Sequence, residues 1–325
     1  MIEQNLIEEL DESQFVLIQD VQGELDKLFP PRLAGLTKQD LLRIAELCCA
    51  AYSTDDSITE IQESCQGHLA TGYSLLPFRD DDSKHAGNIY FKGNEIVVAY
   101  RGTWNLSDVS TDLNALLSIP PFLNNIGRVH KGFYDQFCES KKFILDHIKL
   151  YCTQRNIDAQ DLKVVVTGHS MGGALATIFA LKFALENPQA NIKVVTFGCP
   201  RVFDFPAANY YNRKIGNDTV RIVQHHIDPI PTMTTGTLGY KHVGLWQLRL
   251  ELAAGFYPHQ ILGHIKSIEN LKPDEFRTNN SASVLWPMTY FSGWMNAYVI
   301  GAPQQMIVNI LYNRSLDGSA QNNER

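Results

Sequence analysis

The sequence predicts an α/β architecture, a mostly parallel central sheet with helices on both faces. Strand-like runs alternate with helical patterns from about residue 72 to residue 270, and strands joined through helices pair in parallel and are covered on both sides. At the centre, residues 162–184 pass from a β-branched run ending in Val164, Val165 and Val166, through a glycine-rich turn, into a helix of Ala, Leu and Phe; such a run fits a strand buried on both faces. With 325 residues, 44% hydrophobic and 19% charged, the chain has room for one large domain of this kind with extensions.

In chain order, residues 1–40 are acidic, carry Leu6, Leu10 and Leu17, and break at Pro30 and Pro31. They read as an amphipathic helical extension. Residues 38–52 place Leu41, Leu42, Ile44, Ala45, Leu47 and Cys48 on a broad apolar helical face, and residues 53–66 are polar and loop-like. Residues 72–78 and 88–91 read as strands, and Lys92-Gly93-Asn94 as a hairpin turn into a strand over 95–100 that ends in Arg101-Gly102-Thr103. A helix over 132–151 precedes the central strand; strands over 192–197, 219–223 and 240–250 follow it. The division is therefore a helical extension (1–40), a main domain (41–275) and a C-terminal extension (276–325). Residues 278–313 contain no charged residue and carry Trp286, Tyr290, Phe291, Trp294 and Tyr298. Pro287, Ser292, Gly293, Asn296 and Pro303 interrupt the run, so burial against the main domain is favoured over an interfacial anchor, and a spanning helix comes last.

A net charge of -7 with no basic run argues against a nucleic-acid partner. Six cysteines without CxxC or Cys/His metal spacing read as buried thiols of a reducing compartment, with disulfides as the alternative. The first basic residue is Lys27, so no positively charged leader ahead of an apolar core is expected. The expectation is a cytoplasmic protein, or one exported without a Sec-type signal.

The turn at the centre reads Gly168-His169-Ser170-Met171-Gly172. Gly-x-Ser-x-Gly between a strand and a helix is a nucleophile elbow, in which small residues flank a serine lifted out of the sheet. The helix N-terminus behind it favours a developing negative charge. A plain strand-to-helix turn is the alternative, and the flanking strand and helix weigh against it.

A serine hydroxyl needs a base, and the base an orienting carboxylate. Asp228, in Val223-Gln-His-His-Ile-Asp-Pro-Ile-Pro231, lies just past an apolar strand at the edge where such sheets place ligands. Asp204 and Asp218 are the weaker alternatives by position. His225 and His226 point to opposite faces if extended, so no metal is expected there, and no cofactor. His242 falls inside the strand over 240–250 and reads as structural. His259 and His264, in Phe256-Tyr-Pro-His-Gln-Ile-Leu-Gly-His264, are not separated by residue physics alone.

Taken in order, Val98-Ala-Tyr-Arg-Gly-Thr103, Val129-His-Lys-Gly-Phe133, Thr167-Gly-His-Ser-Met-Gly-Gly173, Thr196-Phe-Gly-Cys-Pro-Arg-Val202, Asp228 with its prolines and Tyr240-Lys-His-Val-Gly244 resemble the class 3 lipases over roughly residues 40 to 270. The resemblance implies the α/β-hydrolase fold of fungal triacylglycerol lipases and plant phospholipase A1-type enzymes. It implies Ser170 as nucleophile, Asp228 as acid and His264, rather than His259, as base. It further implies an oxyanion hole from the N–H groups of Met171 and Thr103, and a lid after Thr103 carrying Trp104, Leu106 and Val109, for which a plain surface helix is an equal alternative. Phe203, where the family usually has glycine, and Thr232-Met233-Thr234, which lack its second proline, depart from the pattern.

The function expected is hydrolysis of carboxylic esters of acyl lipids through an acyl-enzyme on Ser170, with contact to a lipid surface. The competing expectation is a lipase-like scaffold that binds lipid or protein without turnover; acyl transfer to an alcohol is a third.

Overall fold

The computed structural model describes residues 33–52, 72–82, 84–102, 117–224, 228–232 and 239–272. Most of the N-terminal extension, the candidate lid, His225, His226 and the aromatic C-terminal extension lie outside them.

The first element is helix α1 (Lys38–Ala50), closed at its start by a capping box in which Asp40 N–H donates to Thr37 Oγ1 and Thr37 N–H to Asp40 Oδ2. Strands β1 (Ser74–Arg79), β2 (His85–Lys92) and β3 (Glu95–Tyr100) follow. β2 and β3 form the expected hairpin, with Lys92 opposite Glu95 and Gly93 at a φ of 60°. Two short strands, β4 (Leu117–Ser118) and β5 (Val129–His130), lead into the long helix α2 (Lys131–Arg155). The central unit is strand β6 (Lys163–His169) and helix α3 (Met171–Glu186), followed by β7 (Asn191–Phe197), β8 (Phe203–Asp204) and α4 (Phe205–Ile215). The described chain closes with β9 (Thr219–Gln224), β10 (Tyr240–Lys241), β11 (Trp246–Leu250) and α5 (Ile261–Asn270).

Seven strands form the main sheet in the order β1-β2-β3-β6-β7-β9-β11. From β3 onward every neighbouring pair is parallel, and only the β1–β2–β3 edge is antiparallel. Successive residues of a strand point to opposite faces, and the core divides accordingly. Ile96, Val98, Tyr100, Val164 and Val166 pack with α2, α3 and α4, through Phe133, Phe137, Phe179 and Tyr211. Val97, Ala99, Val165, Val195 and Ile222 pack with α1 and α5, through Leu41, Ile44, Ile261 and Ile268. Both faces are thus helix-covered, which is why the inner strands read as continuous apolar runs. Each fully buried Val, Leu, Ile or Phe contributes about 1.5–3 kcal/mol relative to exposure. α3 is apolar nearly all round because it lies between the sheet and α2, and residues from Gly172 to Leu181 are buried without a break.

Two readings of the sequence are corrected. The single strand expected over 240–250 is two strands in two sheets: β10 pairs with β8, β11 runs parallel to β9, and Gly244 at a φ of 89° turns the chain between them. β10, β8, β5 and β4 make a separate small sheet in which each strand has two residues, too short for any periodic pattern. The cysteines are not all reduced. Cys48, Cys138, Cys152 and Cys199 are free thiols, whereas Cys49 is disulfide-bonded, with its partner outside the described residues. A structural disulfide belongs to an oxidising compartment.

Among the described residues, no helix is long and apolar enough to cross a membrane.

Candidate active site

The C-terminal ends of β3, β6, β7 and β9 converge on one edge of the sheet, and the residues singled out for chemistry lie there. Ser170 occupies the join of β6 and α3 at φ 58°, ψ -128°, a region costly for a residue with a side chain. The flanking glycines explain how that conformation is held. A Cβ on Gly168 would stand 2.2 Å from the Gly172 carbonyl oxygen, and one on Gly172 would stand 2.3 Å from the Tyr100 carbonyl oxygen. Ser170 N–H donates to Phe197 O at 2.9 Å, tying the bend to the end of β7. Met171 is the first residue of α3, so its amide belongs to the helix N-terminus.

Asp228 follows β9, and both its oxygens are engaged. Oδ1 accepts from Ile230 N–H at 2.9 Å, and Oδ2 is 2.8 Å from His259 Nδ1. Both side chains are almost fully buried. His259 has a φ of 68°, and its N–H donates to Gln224 Oε1 at 2.8 Å. With Nδ1–H given to the carboxylate, Nε2 keeps its lone pair, the tautomer that a base requires.

The imidazole on Asp228 is therefore His259, and the expectation of His264 is corrected. Five residues on, His264 lies inside α5, wholly buried, edge-on to Phe197 and to His169 at ring separations of 5.9 Å. Neither of its ring nitrogens has a hydrogen-bond partner among the described residues. Burial lowers it to about 4, with neighbouring His259 acting in the same direction and Asp228 opposing. No local signal in the sequence separates the two; the contacts of His259 with Gln224 and Gly198 decide, and they are remote along the chain.

Gly198 links the serine to the acid–imidazole pair. It follows Phe197, which receives the Ser170 amide, and at a φ of 56° its added Cβ would stand 2.8 Å from both Asp228 Oδ2 and His259 Nδ1. His169, next to Ser170, lies 4.6 Å from the His259 ring by centroid. Burial holds the His169 pKa well below the usual imidazole range, with His259 and His264 adding to the effect. Ser170 Oγ and His259 Nε2 are both buried and without a hydrogen-bond partner among the described residues. Such contacts are often long before substrate binds.

The end of β3 closes on the same edge. Gly102 N–H donates to Tyr52 Oη at 3.0 Å, and Tyr52 Oη lies 2.8 Å from His169 Nδ1. A Cβ on Gly102 would stand 3.2 Å from Ser170 Cβ, a measure of how near the strand end comes. Thr103, Trp104, Leu106 and Val109 lie outside the described residues.

The other candidates are accounted for. Asp204 caps α4 through Ala207 N–H and pairs with Arg128. Asp218 pairs with Lys193. His242 Nε2 bonds Pro231 O at 2.9 Å, a structural role. No group of three or more metal-ligating side chains is assembled among the described residues.

Residues 97–237 match the family model described as Lipase (class 3). Over 155 residues the chain is 33% identical to a secreted mono- and diacylglycerol lipase of Malassezia globosa, covering 45% of this chain and 49% of that one. It is 32% identical to a lipase of Rhizomucor miehei over 157 residues, covering 46% and 40%. The chain spans about half the length of the curated relatives it matches. Among solved structures, a lipase of Rhizopus microsporus var. chinensis superposes with a TM-score of 0.56 at 21% identity, covering 71% of this chain and 82% of that one. A propeptide complex of Rhizomucor miehei lipase gives 0.54 at 23%, covering 65% and 67%. These likenesses establish the α/β-hydrolase fold.

Several relatives are named as secreted proteins. Together with the disulfide at Cys49, this overturns the expectation of a cytoplasmic location. Over residues 97–237, with its motifs in the family's order, the chain is similar to the class 3 lipases.

Proposed function

We propose that the protein is a serine carboxylic-ester hydrolase acting on acylglycerols, with Ser170 as nucleophile, His259 as base and Asp228 as the carboxylate that orients it. The observation that carries the proposal is the buried 2.8 Å Asp228–His259 pair, joined through Gly198 to the strand end that holds the Ser170 amide. His259 Nε2 takes the serine proton as Oγ attacks the ester carbonyl, and the imidazolium formed is stabilised by Asp228. The negative charge on the carbonyl oxygen falls at the start of α3, where the Met171 amide is one donor; the sequence resemblance assigns the second to Thr103, which lies outside the described residues. His259 then protonates the departing alcohol, and water resolves the acyl-enzyme by the same steps in reverse.

Partial glycerides are the proposed substrate class, on the names of the secreted mono- and diacylglycerol lipases among the relatives. Export, as in those relatives, is proposed with it. The test is covalent labelling by a fluorophosphonate, followed by hydrolysis of mono-, di- and triacylglycerols and phosphatidylcholine. Labelling lost in Ser170→Ala and fastest turnover of a partial glyceride are expected. A wild-type chain that neither labels nor hydrolyses any ester would leave the non-catalytic scaffold as the better reading, and fastest turnover of phospholipid would replace the substrate class.

A further inference from the structure

Between β7, β9 and the middle of α3 lies a cavity of about 10 Å³ lined by Thr177, Thr196, Cys199, Thr219, Arg221 and His242. This is the size of one small occupant. Arg221 is its one cationic wall and is 7% exposed. Its Nη2 donates to Gln247 Oε1 at 2.5 Å, while its Nε–H has no hydrogen-bond partner among the described residues.

The charge of Arg221 is uncompensated among those residues. Asp218 and Asp228, which flank its strand, are taken by Lys193 and His259. Arg201 and Arg249 add to the positive field, and burial lowers the Arg221 pKa to about 10, leaving the group protonated at neutral pH. The cavity supplies no anion of its own: burial pushes the Cys199 thiol up to about 12. A buried, unpaired guanidinium is strongly unfavourable, so buried charges are found paired.

We propose that this cavity binds a small monovalent anion of the halide type, held by Arg221 Nε–H and the Thr196 hydroxyl. Thr196 Oγ1 is buried, with the Cys199 thiol as a weak partner and no stronger one among the described residues. The neighbouring hydroxyls are already committed: Thr177 Oγ1 donates to Gly173 O and Thr219 Oγ1 to Ile215 O. Arg221 Nε–H and the Thr196 hydroxyl can both donate to one small occupant, and an anion, unlike a neutral water, also offsets the guanidinium charge. The far wall ties the anion to the acid. His242 Nε2 bonds Pro231 O and Arg201 Nη1 bonds Thr232 O, in the short helical turn just after Asp228. Occupancy therefore stabilises the segment that positions Asp228.

The experiment uses the full chain exchanged into sodium gluconate, whose anion is too large to enter, and titrated with bromide at constant ionic strength. A saturable rise in melting temperature of roughly 2–4 °C is expected, as for a ligand that binds only the folded state. An anomalous bromine peak beside Arg221 is expected in a soaked crystal. Arg221→Met should abolish the response, and Thr196→Val, which keeps shape and fold, should weaken the bromide midpoint several-fold. Equal melting temperatures in gluconate and bromide would overturn the proposal. So would a response unchanged in Thr196→Val, or a crystal showing only water or an acidic side chain against Arg221.

Discussion

The two halves of the catalytic edge are built by different means. The elbow at Ser170 is a backbone object: seven consecutive strand residues, a bend fixed by Gly168 and Gly172, and a helix, all within one stretch. The acid–imidazole half is a side-chain object. Asp228 and His259 are 31 residues apart on irregular segments, and they meet because Ile230 N–H, Gln224 Oε1 and the bare Cα of Gly198 position them. A structure set by local sterics tolerates little change near it but needs few distant partners. One set by separate loops can be damaged selectively without unfolding the protein.

The strongest test of that contrast concerns the chemistry both halves share. Ser170→Ala and His259→Ala are each expected to lower kcat by about 10⁴-fold or more, because a nucleophile and its base act as a unit. His264→Phe is expected to retain activity within about 10-fold, since that imidazole makes no hydrogen bond to Asp228 and replacing it removes two buried nitrogens without hydrogen-bond partners among the described residues. Steady-state rates on one soluble ester decide the matter. Equal losses in the two histidine variants would mean that both rings serve the reaction.

Next in size is the elbow's intolerance. In Gly168→Ala the new methyl would press on the Gly172 carbonyl, which is backbone and cannot rotate away. A loss of more than about 4 kcal/mol is expected, beyond the usual range for one substitution, read by urea denaturation. Gly198→Ala should behave otherwise. Its Cβ would meet the side chains of Asp228 and His259, which can be pushed apart, so the expectation is a folded protein with kcat lowered by about 10²-fold. If Gly198→Ala unfolds the chain while Gly168→Ala stays folded and inactive, the assignment of the two halves is reversed.

The same contrast governs what could be read from the sequence. The Val164–Val166 run, the paired glycines around Ser170 and the hairpin at Gly93 are local signals, and the central sheet and the serine were legible from them. Asp228 was legible because a proline-stiffened loop after an apolar strand has one place to go. His259 was not separable from His264, since the deciding contacts, Gln224 and Gly198, are remote in sequence and carry no pattern. The small sheet was invisible for a related reason: strands of two residues, such as Phe203–Asp204, take their conformation from pairing partners rather than from alternation. The disulfide at Cys49 had no spacing signature either.

The smallest effect separates the halves by pH. His264 and His130 are each lowered by burial to about 4, and His169 and His242 are also held well below the usual imidazole range. In the unfolded chain these rings take up protons near pH 6.5. Between about pH 6.5 and pH 4 the unfolded state therefore binds more protons than the folded one, and stability falls as the pH is lowered through that window, while above it these groups impose no pH dependence. Each such ring contributes about 1.4 kcal/mol per pH unit to the slope. His264→Phe should remove one ring's share, flattening the dependence of unfolding free energy on pH while the activity proposed for His259 persists. Urea melts at half-unit pH steps measure it. An unaltered slope would mean that His264 already titrates near its ordinary value in the folded protein, and that the pocket beside Phe197 is wetter than its burial implies.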